Sequence, residues 1–276
     1  MYQDSVRKKK ESLISNLMGV HSLVVAFSGG VDSSFLLAIA QDILKERVIA
    51  ATARSAIHSH SEIEYAIQFA SQRRIRHIVF ESGEMNNPEF LSNGPDRCYH
   101  CKRQLAETLF AIAEKEGLSH VAHGANVDDL SDYRPGLAAA RETGIISPLT
   151  DSGLTKAEIR YLSKGMGLEN WDMPAMACLA TRIPYGSRVT EEKLQMADEA
   201  EGFLFELGFK QVRVRHHGTV ARIEVGIDEF ENLMEDHNRS AIVAKFRGIG
   251  FLHVATDLEG YISGKLNRDL EKQTAI

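Results

Sequence analysis

The chain has 276 residues, 43% of them hydrophobic and 25% charged, with a net charge of −6. This composition suits a soluble globular protein of one large domain or two smaller ones, and no stretch approaches the ~20 apolar residues that span a bilayer. The acidic balance argues against a protein whose main task is gripping nucleic acid.

The opening MYQDSVRKKKESLI carries positive charge but no apolar signal core behind it. The expected location is therefore the cytoplasm, where thiols stay reduced. RKKK at 7–10 reads as a solvated helix end rather than an RNA contact. SLVVAF (22–27) reads as a buried strand, followed by a turn and the apolar helix SSFLLAIAQDIL. RVIAATA (47–53) is a second strand, with the helix SEIEYAIQFASQRR after it, and RHIVFES (76–82) a third. The helix CKRQLAETLFAIAEKEG leads to a fourth strand, SHVAHGA (119–125), and GIISPLT (144–150) reads as a fifth. Strands alternating with helices of this length predict an α/β fold with a parallel sheet covered on both faces.

TKAE at 155–158 is a capping box that starts a helix ending near Gly165 or Gly167. After RIPYGSR the pattern changes. A helix over 190–208, a hairpin folded at HHG (216–218), a helix over 228–246 and the strand FLHVATDLEGY form an α-β-β-α-β block. The expected organisation is an ATP-binding domain over 1–185 and a smaller C-terminal α+β domain over 186–276 that binds substrate.

The strongest local signal is VVAFSGGVDSS (24–34). A buried strand runs into Ser28, Gly29 and Gly30, and a helix starts at once, an arrangement that presents backbone N–H groups and the helix dipole to an anion. It is no Walker A loop, because the spacing and the lysine of that motif are absent. Ser33 and Ser34 can donate to phosphate, and Asp32 can hold Mg²⁺. Asn126, Asp129 and Arg134, in ANVDDLSDYRPG, offer polar contacts to a nucleotide at the end of the fourth strand, although an N-cap network accounts for them equally well.

SGGVDSS resembles the signature of the PP-loop ATP pyrophosphatases, of the adenine nucleotide alpha hydrolase-like fold, which split ATP into AMP and pyrophosphate. HGANVDDLSDYRPGLAAARETGIISPL (123–149), LTKAEIRYLSKGMGLENWDMPAMACLATRIPYG (154–186) and DLEGYISGKLN (257–267) extend the resemblance to the LarE-type subgroup. These are the pyridinium-3,5-bisthiocarboxylic acid mononucleotide synthases of nickel-pincer cofactor synthesis. The resemblance implies an ATP- and Mg²⁺-dependent sulfurtransferase that adenylylates a carboxylate of a nicotinate-derived mononucleotide and lets a sulfur nucleophile displace AMP. It implies that Arg182, Arg213 and Arg215 grip the mononucleotide's phosphate and carboxylates, using the planar two-toothed fork of arginine. Glu201 is placed to bind a cation or touch the substrate. The paired histidines His58, His60, His216 and His217 show no metal-ligand spacing and are left without a role.

Three cysteines, Cys98, Cys101 and Cys178, are one too many for a disulfide and one too few for a closed four-thiolate zinc site. In much of the family the cysteine at the position of Cys178 gives up its own sulfur and ends as dehydroalanine. This chain adds Cys98 and Cys101 as C-x-x-C, which resembles the three-cysteine variant and the cluster-dependent tRNA thiolases. The implied catalytic centre is a 4Fe–4S cluster on Cys98, Cys101 and Cys178, with one iron left open to inorganic sulfide or another sulfur donor. The other readings are sacrificial transfer from Cys178, tRNA thiolation and a non-catalytic nucleotide sensor. The expected partners are the small-molecule mononucleotide and a sulfur donor, with no nucleic acid and no membrane, in a homo-oligomer.

Overall fold

The computed structural model describes residues 2–131, 135–174, 177–262 and 264–268. Two compact units emerge, one formed by Met1–Glu84 with Cys98–Met176, the other by Met85–Arg97 with Ala177–Ile276.

The first unit contains α1 (Tyr2–Met18), β1 (Leu23–Ala26), α2 (Val31–Leu44), β2 (Val48–Arg54), α3 (His60–Gln72) and β3 (Arg76–Glu81). It continues with α4 (Arg97–Lys115), β4 (His120–His123), α5 (Pro135–Glu142) and α6 (Lys156–Gly165). The four strands form one parallel sheet in the order β3-β2-β1-β4. Alternation along β1 sends Leu23 and Val25 into a core with Phe35, Leu37, Leu149 and Ile159. Val24 goes to the other face, with Leu109, Ala106 and Val121. Helices cover both faces, which is why β1 is apolar throughout rather than alternating with polar residues. The fold is α/β, as the sequence predicts. Strand order reverses across β1, with β2 on one side and β4 on the other, so the C-terminal end of β1 is the topological switch point where such sheets bind ligands.

The second unit is built on α7 (Glu191–Glu206), the antiparallel hairpin β5 (Val212–His217) and β6 (Val220–Val225), α8 (Asp236–Ile249) and β7 (His253–Thr256). Helix α8 is the crossover that brings β7 alongside β6 in parallel. Leu204, Phe209, Val214, Ile223, Ile242 and Phe246 close the core. Residues 85–97 join this unit through Asn93, whose buried amide donates to the carbonyls of Ile183, Pro184 and Ser187 at 3.3, 2.8 and 2.9 Å. Arg97 adds a guanidinium 4.7 Å from the centre of the Tyr185 ring. The second unit thus takes up the chain at 85–97 and again from 177 onward.

Several local expectations change. The 144–150 segment is no strand: only Ile146 bridges to Ala122, and Pro148, which has no N–H to give a ladder, opens a short helix at Pro148–Asp151. The helix expected over 228–246 breaks at Glu235, which is extended, leaving Phe230–Met234 before α8. RKKK lies within α1 rather than at its end. Of the strand expected over 251–261, only His253–Thr256 pairs. Among the described residues no helix is long and apolar enough to cross a membrane.

Candidate functional site

In the first unit, the chain leaves β1 through Phe27 and enters α2 at its N-cap, Gly30, which has no side-chain cap. The first-turn amides are thus left for a ligand, at the positive end of the helix dipole. The loop braces itself. Ser33 Oγ donates to the Gly30 carbonyl at 3.1 Å and sits 3.1 Å from Ser28 Oγ. Ser34 is fully buried and donates to the Gly29 carbonyl at 3.2 Å, so its hydroxyl serves the loop, while Ser28 is exposed.

Two residues that the sequence reading passed over hold this loop. Asn170 is 3% exposed, and its Nδ2 donates to the Gly29 carbonyl and to Ser34 Oγ, both at 2.9 Å. Lys156 places its Nζ 2.7 Å from Asp32 Oδ2. Burial raises the Asp32 pKa, Lys156 opposes that rise, the Asp129 carboxylate adds to it and the nearby Asn126 amide reduces it. Asp32 Oδ1 is buried and accepts no hydrogen bond among the described residues. An orphaned carboxylate oxygen at the switch point suits a cation ligand. Asn126 and Asp129 form the N-cap-like network that the sequence left as an alternative: Asn126 N–H donates to Asp129 Oδ2 at 3.0 Å, and Asp128 N–H to Asn126 Oδ1 at 2.9 Å. Arg134 lies outside the described residues. Gly124, just after β4, packs so closely on α2 that a Cβ there would stand 2.8 Å from the Ser33 nitrogen. Only glycine lets the β4 end approach the loop this closely.

Cys98 and Cys101 sit in the first turn of α4, three residues apart and so on one helix face. Cys98 is exposed, and the Cys101 thiol lies 3.8 Å from Oε1 of the buried Glu84. Lys102 is half-buried beside them; burial lowers its pKa, and the charges of Cys101 and Cys98 oppose that shift. His58 is also lowered, by burial first, with Glu84 opposing and Lys102 adding. Burial and Lys102 push His123 down to about 3. Cys178 belongs to the second unit, as the N-cap of the short turn Leu179–Arg182. Among the described residues no three His, Cys, Asp or Glu side chains converge as a metal site.

That second unit gathers the predicted arginines. Arg182 pairs with Glu201 through Nε and Nη2 at 2.8 and 2.7 Å, and its Nη1 donates to the carbonyls of Ala177 and Cys178. Arg215 donates to Glu224 Oε2 and to the Thr181 carbonyl, both at 2.8 Å. Arg213 donates to the Val212 carbonyl and lays its guanidinium 5.2 Å from the centre of the Tyr261 ring. Burial lowers its pKa, and Arg182 adds to that effect. Glu201 accepts from Arg182 and from the Val214 N–H. All five charged groups are buried, three cations against two carboxylates.

A glycine loop at the switch point of a parallel sheet, with an acidic residue on the helix behind it, defines an α/β nucleotide-binding protein of the PP-loop class. The asparagine synthase family matches residues 10–109, the part that contains this loop. The chain is 42% identical to an uncharacterised protein of Synechocystis sp. over 97% of this chain and 100% of that one. It is 32% identical to the pyridinium-3,5-bisthiocarboxylic acid mononucleotide synthase of Lactiplantibacillus plantarum, over 96% of this chain and 95% of that enzyme. An uncharacterised protein of Methanocaldococcus jannaschii is 30% identical over 87% of this chain and 91% of its own. The chain belongs to the pyridinium-3,5-bisthiocarboxylic acid mononucleotide synthase family, a family of ATP-dependent sulfurtransferases.

Proposed function

We propose that this enzyme uses ATP to activate a carboxylate of pyridinium-3,5-biscarboxylic acid mononucleotide and converts it to a thiocarboxylate, in synthesis of the nickel-pincer cofactor of lactate racemase. The observation that carries the reading is the arrangement of the second unit. Arg182 and Arg215 hold the carbonyls of Cys178 and Thr181, so the turn bearing the cysteine rests on two of the buried arginines that suit an anionic substrate. Arginine forks suit the phosphate and the carboxylates of a phosphorylated dicarboxylate.

In the first step a substrate carboxylate oxygen attacks the α-phosphorus of ATP, and pyrophosphate leaves. The amides of the loop and of the first turn of α2 bind the departing pyrophosphate, and Asp32, with its orphaned oxygen, holds Mg²⁺. Sulfide then attacks the acyl-adenylate carbonyl and expels AMP. An unactivated carboxylate would not undergo this displacement, because its leaving group would be oxide.

Cys98, Cys101 and Cys178 are the residues that would hold a 4Fe–4S cluster, as the resemblance to the three-cysteine variant implies. The pair on α4 shares a helix face near the helix N-terminus, with Lys102 alongside. Held by these three cysteines, such a group would supply an iron site able to carry exogenous sulfide.

The test uses protein purified without oxygen. Replacing Cys98, Cys101 or Cys178 singly by Ala should each lower iron and sulfide content and stop sulfur transfer, while pyrophosphate release continues. Intact mass should be unchanged after several turnovers. Loss of one H₂S from Cys178 in step with product would replace the cluster by sacrificial transfer. No pyrophosphate from ATP and the mononucleotide would overturn the function itself and leave a nucleotide sensor.

A further inference from the structure

The DLEGY segment (257–261) has no part in the chemistry described so far. Yet it is hydrogen-bonded to the second unit. Beyond β7 the chain stays against β6: the Asp257 N–H donates to the Ile223 carbonyl at 2.9 Å and the Tyr261 N–H to the Val225 carbonyl at 2.8 Å. Gly260 makes the approach possible. Its φ is +66°, and a Cβ there would stand 2.7 Å from the Val225 oxygen, inside any permitted contact.

Both predicted substrate arginines of β5 are reached from this segment. The Arg213 Cζ lies over the Tyr261 ring, 5.2 Å from its centre, while the Val212 carbonyl accepts from Arg213 Nη1. A chain of ion pairs runs to Arg215. Lys265, 7% exposed, sits 2.6 Å from Asp257; Asp257 lies 3.5 Å from Arg222; Arg222 and Arg215 share the carboxylate of Glu224 at 2.9 and 2.8 Å. Lys265 Nζ also donates to the Gly260 carbonyl at 3.1 Å, closing the segment on itself.

We propose that Tyr261, docked by Gly260 and by the Lys265–Asp257 pair, is a positioning residue that fixes the plane of the Arg213 guanidinium for an anionic substrate. The proposal rests on the reading of the arginine cluster as the mononucleotide's site. A guanidinium recognises a carboxylate or phosphate through its edge, in its own plane, so a ring against its face sets the direction of recognition without competing for the edge. Fixing the plane before binding removes rotamer freedom that the substrate would otherwise have to freeze. A partly desolvated cation–π contact is worth enough to change affinity by about ten-fold.

Calorimetric titration of the full chain with the mononucleotide, and separately with ATP, tests this. Tyr261→Leu should bind the mononucleotide about ten-fold more weakly and ATP as the parent does. Tyr261→Phe, which keeps the ring face, should restore the affinity. In an Arg213→Ala background, Tyr261→Leu should cost nothing further, because Tyr261 acts through Arg213. Should Tyr261→Leu not fold, Lys265→Met releases the other end of the segment and should again weaken the mononucleotide and spare ATP. Parent-like binding by the leucine variant, equal loss of both ligands, or an undiminished effect without Arg213 would each overturn the proposal. A parent protein that binds ATP but not the mononucleotide would instead bring down the functional reading and this inference with it, and is recognised because the parent itself fails.

Discussion

Asn170 holds the nucleotide loop from behind, with one amide nitrogen shared between the Gly29 carbonyl and the Ser34 hydroxyl. Removing it leaves both without that donor in a site too buried for water to enter freely. Asn170→Ala should therefore cost about 1–3 kcal/mol of stability in the first unit. It should also raise the KM for ATP in a pyrophosphate-release assay while leaving the KM for the mononucleotide alone. A rise in both would make Asn170 a general structural residue rather than a loop anchor. Nothing in the sequence marks this asparagine, since its partners lie 141 and 136 residues away. The loop residues themselves were legible because strand, glycines and helix are adjacent in the chain. The arginines were legible only in part. Their two-residue spacing puts Arg213 and Arg215 on one face of β5, but the spacing does not reveal Glu201 and Glu224 as their partners, nor the commitment of Arg182 to the Cys178 turn.

Helix α6 shows local sequence logic at its most readable. The capping box foreseen in TKAE is present: the Thr155 hydroxyl accepts from the Glu158 N–H, and the Glu158 carboxylate accepts from the Thr155 N–H at 2.9 Å. Lys156, the first residue of that helix, carries the ammonium that meets Asp32, and its N–H donates to Asp128 Oδ2 at 2.9 Å. The cap thus sets where a loop-facing cation sits. Thr155→Ala should cost about 1 kcal/mol of stability by the usual value of such a cap. It should weaken ATP binding as well, and Thr155→Ser should recover both. Thermal midpoints and ATP titrations of the two variants check this, and an unchanged ATP affinity with a lowered midpoint would separate the cap from the site. Elements defined by long-range pairing read less well. Residues 144–150 look like a strand by composition, but whether they join the ladder depends on what lies opposite, and Pro148 admits only the Ile146 bridge. The break at Glu235 is likewise invisible to periodicity. The Asn238 side chain there donates to the Asn232 carbonyl and side chain across the break, a local alternative to helical bonding.

Across the whole molecule, buried and half-buried histidines link stability to pH. His58, His77, His123 and His216 all have pKa values below the ordinary histidine range, in each case with burial as the leading cause. A depressed base is neutral in the folded chain, whereas the unfolded chain takes up its proton near pH 6.5. Stability is therefore complete above that value and falls as the pH drops below it, for His123 down to about 3. Each such group contributes up to about 1.4 kcal/mol per pH unit in its window. Asp32 works in the opposite sense, because its raised pKa lets the folded chain take a proton first, but it is one group against four. The histidines should win between pH 6.5 and about 5. The thermal midpoint should hold level from pH 8 to 7 and decline steadily below 6.5. His123→Gln, which keeps a polar group near the Ser147 hydroxyl that His123 Nε2 meets at 2.7 Å, should flatten that decline. A midpoint that stays level down to pH 5, or a glutamine variant with the parent's slope, would mean that these rings gain their protons without leaving the folded state.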